Sequence, residues 1–295
     1  MAALSCGGTG RLIRTPAGER AGEGASHRPR RPGRGGASPD LAGILWPMSA
    51  PWYVEAFRGD YRDVYAHRNL AAAREEVRWL AGEVLAGVDG PVLDDCCGFG
   101  RHSLALAEAG FDVFGIDLSL DLLASSGEME GARDRLAGRL SQADMRSLPF
   151  ADGSFGAVVN LFTSFGYLGD TGDAAALDEM GRVLRPGGTL VMDLMNPAAI
   201  RRGLRPSSRE ERDGIILEAR RSLEDGGRRV VKEVHLTLAS GEVRRWREEV
   251  RMYEPTELDA LMGARGLTVV GRAGSFGGEP FDPEQAERQV VLARS

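Results

Sequence analysis

The chain has 295 residues, 42% hydrophobic and 27% charged, with 40 glycines and 14 prolines, a composition that excludes a collagen, a coiled coil and a wholly disordered protein. No stretch approaches 18 uninterrupted apolar residues, so no span across a membrane is expected. Cys6, Cys96 and Cys97 offer neither a disulfide framework nor a CxxC metal pattern, so a cytoplasmic protein without a bound metal is expected. Net charge is −6, with seven arginines in residues 1–47 against Glu19, Glu23 and Asp40. The remaining body is therefore acidic, which argues against a broad nucleic-acid surface, because phosphate binding needs basic groups to displace counterions.

Residues 1–47 hold ten Gly and five Pro without a hydrophobic period. They read as a flexible arm, or as upstream sequence translated ahead of a start at Met48, and they lack the apolar core of a secretory signal. From Trp52 the pattern turns helical: Tyr53, Phe57, Tyr61 and Tyr65 fall at i, i+4 spacing on one face. Residues 50–86 read as an N-terminal helical lid, with Asn69 capping a helix over Ala71–Leu85.

Gly90-Pro91 breaks the chain, and an alternation of strands and helices begins. Val92-Leu93 is a short strand, Ser103–Ala109 a helix and Asp112–Ile116 a strand. Ser119 caps a helix to about Arg135; Leu140–Ala143 and Ala157–Leu161 are strands, Ala174–Leu184 is a helix and Thr189–Leu194 a strand. Repeated β-α-β with apolar strands predicts a doubly wound α/β domain, a parallel sheet with helices on both faces. After Asn196-Pro197 the rhythm changes. Three half-polar strands, Ile215–Arg221, Val230–Leu238 and Val243–Tyr253, predict a small antiparallel β insertion at about 198–253. Pro255–Ala264 is helical, and Thr268–Ala273 with Gln289–Ala293 forms a closing antiparallel pair.

The chemistry concentrates in Val92-Leu93-Asp94-Asp95-Cys96-Cys97-Gly98-Phe99-Gly100-Arg101-His102. A strand, small residues at alternate positions and a helix make a tight turn where backbone approaches a ligand. A dinucleotide fingerprint is one alternative, but Ser103 stands at its third glycine. Asp94 and Asp95 would meet the pyrophosphate, and like charges at about 4 Å repel by about 1–4 kcal/mol. A ligand carrying a cation suits the turn better.

Val92–Gly100 resembles the first motif of class I S-adenosylmethionine-dependent methyltransferases, V-L-D-x-G-x-G-x-G, with Cys96 at the first glycine. That departure is expected to be tolerable while Cys96 keeps a negative φ. The resemblance continues in order. Asp117, ending the second strand before Leu118, matches the acid that accepts the ribose hydroxyls. Asp144 and Met145 match the adenine clamp. Asn160-Leu161-Phe162 matches the fourth-strand motif beside the methyl group, and Val183–Gly188 the turn before strand five. It covers about Gly90–Asn196.

It implies a Rossmann-like sheet of seven strands with the last pair antiparallel, in a domain over 48–295. The cofactor is S-adenosylmethionine, held by Asp94, Cys96, Gly98, Gly100, Asp117, Leu118, Asp144, Met145, Asn160 and Phe162. The implied acceptor is a small molecule, met by Tyr61, Tyr65, Thr163 and Ser164, under a roof from the insertion. His67, His102 and Tyr167 are the candidates for proton transfer. Other chemistry on the same cofactor, or a module that binds it without turnover, is the alternative. Neither the acceptor atom nor the oligomeric state is legible.

Overall fold

The protein is described from a computed structural model over residues 51–57 and 69–295. Tyr61, Tyr65 and His67, three of the expected site residues, lie outside the described residues.

The sheet forms as the alternation predicts. β1 (Val92–Asp95), β2 (Val113–Asp117), β3 (Leu140–Gln142), β4 (Phe155–Asn160), β5 (Leu184–Met195), β10 (Thr268–Ala273) and β11 (Arg288–Arg294) make one seven-stranded sheet, in the order β10-β11-β5-β4-β1-β2-β3. The first five strands are parallel, whereas β11 runs antiparallel to β5 and β10 to β11. Val92 pairs with Val113 on one side and Ala157 on the other, and β1 is the middle of the five parallel strands. The chain winds outward through β2 and β3, then returns to place β4 on the far side of β1. A cleft opens at the carboxyl ends of the strands where the winding direction reverses.

Both faces of the sheet are covered, so consecutive apolar residues sort to opposite sides. Leu93 and Val158 pack with Leu177, Met180 and Met262, from α6 (Gly169–Val183) and α8 (Pro255–Gly263). Val92 and Val159 pack with Val77 and Leu106, from α2 (Leu70–Trp79) and α3 (Arg101–Glu108). Each such side chain stabilises the fold by about 1.5–3 kcal/mol through removal from water.

Local signals set the helix starts. The Asn69 side chain accepts from Ala72 N at 3.0 Å and starts α2, which continues as a π-helical turn over Leu80–Val84. Ser119 accepts from Leu122 N and caps α4 (Leu120–Ser125). The expected run to Arg135 breaks, because Gly131 takes φ 79° and starts a separate turn, α5 (Ala132–Arg135). α6 begins five residues before the expected Ala174, at Gly169. There the Asp173 carboxylate accepts from Leu168 N at 3.1 Å.

The insertion has four strands, not three: β6 (Ser207–Arg212), β7 (Ile215–Glu224), β8 (Arg229–Thr237) and β9 (Val243–Arg251), all antiparallel. β6 is polar throughout and has no alternation to betray it. Asp213 and Gly214, at φ 53° and 77°, make the two-residue turn that pairs Arg212 with Ile215. A helix, α7 (Pro197–Gly203), capped by Asn196, opens the insertion ahead of its strands. A short helix, α1 (Trp52–Ala56), packs against β9.

Candidate functional site

The cleft runs over the ends of β3, β2, β1 and β4, with a volume of about 1070 Å³ counting space open to solvent. Ala143, Asp144 and Met145 line it after β3; Asp117, Leu118 and Ser119 after β2; Cys96, Cys97, Gly98 and Phe99 after β1; and Leu161, Phe162, Ser164, Tyr167 and Leu168 after β4. Arg101 and His102 line it from α3, and Tyr53, Val54 and Phe57 from α1 and its end.

The glycine turn is built by backbone conformations that only some positions tolerate. Gly98 has φ 59°, and a Cβ there would meet only Leu122 Cδ1 at 4.0 Å, so this backbone faces open cleft. Gly100 does not line the cleft. Its φ is 81°, and a Cβ would press on Leu140 Cδ1 at 3.1 Å, so it serves the packing of α3. Cys96 has φ 64°, contrary to the expected negative value. A non-glycine residue in that region costs about 1–2 kcal/mol.

The carboxylates separate into two groups. Asp94, expected at the cofactor, is buried, accepts from Ser103 Oγ at 2.6 Å and does not line the cleft; it ties β1 to the first turn of α3. Asp95 is buried as well and accepts from Asn160 Nδ2 at 3.1 Å, which takes Asn160 out of the cleft lining too. Asp117 reaches the cleft. One of its oxygens accepts from Gly98 N at 2.7 Å and the other from Ser119 N at 2.8 Å, so it clamps the glycine turn to the end of β2. Each carboxylate oxygen keeps a second lone pair for a ligand hydroxyl. Asp144 also faces the cleft but is gripped by Arg146, whose Nη2 lies 2.6 Å away.

Crowding of acids sets the electrostatics. Burial pushes the Asp94 carboxyl up to about 6 against the bond from Ser103. Burial, with Asp94, Asp117 and Asp144 as neighbours, takes Asp95 to about 7. Burial, with Asp94 nearby, takes Asp117 to about 6 against the backbone donors of Ser119, Gly98 and Leu118. For Asp144, burial opposes ionisation, but the bonds and charge of Arg146 outweigh it and hold the carboxyl below its usual range. A cation at the end of β1 would stabilise the ionised acids, whereas a phosphate would be repelled. Burial raises the thiols of Cys96 and Cys97 well above their ordinary value, so neither is a thiolate nucleophile.

Across the turn, Glu76 of α2 brings two residues of α3 together. Its Oε2 takes Arg101 Nη1 at 2.8 Å and His102 Nε2 at 2.7 Å. His102 is 4% exposed, and burial lowers its pKa against the pull of Glu76, so the ring is neutral at pH 7. Ser164 lines the cleft and donates to Leu161 O at 2.9 Å. Thr163, expected at the acceptor, does not line the cleft; its hydroxyl accepts from Arg288 Nη2 at 3.0 Å.

Tyr167 stacks on Phe57 at 5.8 Å and meets Trp52 edge-on at 5.0 Å, so the cleft wall formed by Phe57 and Tyr167 belongs to an aromatic cluster. No residue of the 198–253 insertion lines the cleft, so the described roof is α1 with Tyr167 and Leu168. The insertion acts through backbone: Arg251 N donates to Gly166 O at 2.8 Å, and a Cβ on Gly166 would meet Arg251 O at 2.5 Å.

Glu76, Asp193, Arg101 and Arg288 carry contacts that reading the sequence missed. Glu76 stands in the apolar stripe Ala73-Val77-Leu80, and Asp193 in the otherwise apolar run 190–195 of β5. An acid inside an apolar pattern is the signal that would have found both.

A sheet of this order, with a glycine turn after its central strand and an acid ending the next, defines the class I methyltransferase fold. Residues 92–188 match the family model of a methyltransferase domain. CcbJ methyltransferase from Streptomyces caelestis shares the fold, with a TM-score of 0.68 over 81% of this chain and 98% of that one, at 23% identity. CalS10, an amino pentose methyltransferase from Micromonospora echinaspora solved with S-adenosylmethionine bound, aligns at TM-score 0.58 and 26% identity over 79% of this chain and 95% of its own. A cypemycin N-terminal methyltransferase from Streptomyces is 29% identical over 211 residues, 69% of this chain and 82% of that protein. The chain spans about half the length of the first curated relatives it matches. Residues 92–188 are thus similar to a methyltransferase domain, and the chain has the fold of the class I S-adenosylmethionine-dependent methyltransferases.

Proposed function

We propose that residues 48–295 form a cytoplasmic methyltransferase acting on a nitrogen of a small-molecule acceptor. The observation that carries the reading is the open backbone of Gly98 beside Asp117 at the reversal of the sheet: a site that admits backbone contact, offers a hydroxyl acceptor and favours positive charge. When bound, the cofactor supplies an electrophilic methyl group on a sulfonium. Asp117 takes the ribose hydroxyls, and Met145, with Leu118, packs on the adenine.

The chain's part in the transfer is alignment and exclusion of water. Phe57 and Tyr167 line the cleft, and aromatic rings attract ammonium groups. An amine acceptor arrives mostly protonated and must lose that proton before it attacks. His102, neutral and held at Nε2 by Glu76, keeps Nδ1 as a proton acceptor when Nε2–H faces the carboxylate. Ser164 orients the acceptor. The names of relatives lend support: CalS10 acts on an amino pentose and the cypemycin enzyme on an N-terminus, both of which present an amine.

Titration calorimetry with S-adenosylmethionine, followed by assay of S-adenosylhomocysteine release with panels of amino sugars, peptides and phenols, tests the reading. Binding with turnover on amines supports it. Binding of a nicotinamide or flavin nucleotide in place of S-adenosylmethionine overturns it.

A further inference from the structure

Phe162 and Thr163, at the end of β4, hold two successive positive φ values, 64° and 61°. Neither residue is a glycine, and a β-branched threonine is an outlier in that region. Such backbone persists only where its surroundings force it, and here the force comes from one acid and one arginine. The buried Asp193 of β5 accepts from Phe162 N at 2.8 Å through Oδ2, and its backbone carbonyl accepts from Thr163 N at 2.9 Å. Arg288 of β11 grips both carboxylate oxygens, at 2.5 and 2.6 Å, and donates to Thr163 Oγ1 at 3.0 Å.

The arrangement also fixes a ring. The Arg288 guanidinium lies over Phe162 at 5.2 Å from the ring centroid, and the Arg101 guanidinium, anchored by Glu76, lies over it at 4.6 Å. A simple tie between β5 and β11 would need the ion pair alone. It would not need two strained residues whose product is a side chain placed in the cleft.

We infer that Asp193 and Arg288 are positioning residues that hold Phe162 as the wall against the amino-acid tail of the cofactor. The inference rests on the proposed function, because it takes Asp117 as the ribose site. With the adenosine over β2 and β3, the remaining half of the ligand extends across β1 toward β4, where Phe162 stands.

Two ligands separate the halves. S-adenosylhomocysteine has the amino-acid tail, and 5′-methylthioadenosine has the adenosine and sulfur without it. Calorimetry on the full chain is run with both, on Asp193→Asn, which keeps the shape, and Arg288→Lys, which keeps the charge but cannot bridge two oxygens and a hydroxyl. The expected result is a tenfold or greater loss of S-adenosylhomocysteine affinity, with 5′-methylthioadenosine within threefold of the unmodified chain. Asp117→Asn, at the other half, should weaken both ligands.

Circular dichroism reports folding. If Asp193→Asn fails to fold, Arg288→Lys, whose side chain is about a quarter exposed, carries the test. Folded variants that bind S-adenosylhomocysteine normally, or lose both ligands equally, overturn the positioning role. An unmodified chain that binds neither ligand overturns the functional reading beneath it.

Discussion

One carboxylate oxygen of Glu76 holds the His102 ring: Oε2 lies 2.7 Å from Nε2 while also taking the Arg101 guanidinium at 2.8 Å. The arrangement orients a neutral imidazole from behind, as an acid does for a base in other proton-transfer sites. Glu76→Gln keeps the shape but loses the charge that favours the imidazolium. Turnover on an amine should therefore fall by about 10–100-fold, by analogy with removing the hydrogen-bond partner that orients a metal-ligating histidine. Because Glu76 raises the His102 pKa, its removal should also move the acid limb of the pH–rate profile to lower pH. Steady-state rates between pH 5 and 9 check both; an unmoved limb excludes His102 as the base.

The acids around β1 set a second pH dependence, of opposite origin. Asp94, Asp95 and Asp117 sit at about 6, 7 and 6 in the ligand-free fold. A cationic ligand favours their ionised forms, so its binding releases protons. Affinity for S-adenosylmethionine should be level above about pH 8 and fall as pH drops through 7 and 6. The same raised values mean that these acids stabilise the ligand-free fold below pH 4 and lose that contribution as pH rises toward 7. Calorimetry in buffers of different ionisation enthalpy measures the proton release directly, and none at pH 7 would remove the cation from this end of the sheet.

Asp117 itself should be the costliest single acid for binding. Asp117→Ala removes a ligand acceptor and frees Gly98 N and Ser119 N, so cofactor affinity should weaken by about 1–3 kcal/mol. Unchanged calorimetric affinity would take Asp117 out of the ribose role.

How much of this the sequence carried depends on the range of each signal. Strand and helix order was legible because periodicity and caps are local: Asn69, Ser119 and the apolar runs each act within a few residues. Gly98 and Asp117 were each legible because each stands in a short segment at a strand end, although the bond between them spans 19 residues. Asp94 was misplaced because strand alternation turns it to the interior, where Ser103 waits nine residues on. Thr163 was misplaced because its partner, Arg288, lies 125 residues away in sequence. The four-stranded insertion hid β6 for a different reason: its side chains are nearly all exposed, so no apolar period marks it. Only the Asp213-Gly214 pair announces the turn.

Two glycines of one motif should fail in different ways. Gly98→Val sends its side chain into open cleft, so binding of S-adenosylmethionine should be abolished while the fold survives at the cost of a strained φ. Gly100→Val drives a branched side chain toward Leu140 and Leu136 at φ 81°, so stability should fall, by about 1–3 kcal/mol from overpacking alone. Thermal melts with and without the cofactor separate the two: a Gly98 variant that is still stabilised by the cofactor places the ligand elsewhere.

Cys96 offers the reverse experiment. Its φ of 64° is the conformation that a glycine at this place of the motif adopts freely, and its thiol is held protonated by burial, so the side chain brings strain without evident chemistry. Relief of the strain competes with the loss of the apolar packing that Cys96 makes against the central core. The sulfur is small and only partly buried against that core, so relief should win. Cys96→Gly should raise stability by about 1 kcal/mol, or about 2–4 °C in Tm for a domain of this size. Cofactor affinity should stay within threefold, since the backbone that meets the ligand is unchanged. A lower Tm would show that the packing of the sulfur outweighs the strain, and a loss of affinity at unchanged Tm would make Cys96 a ligand contact in its own right.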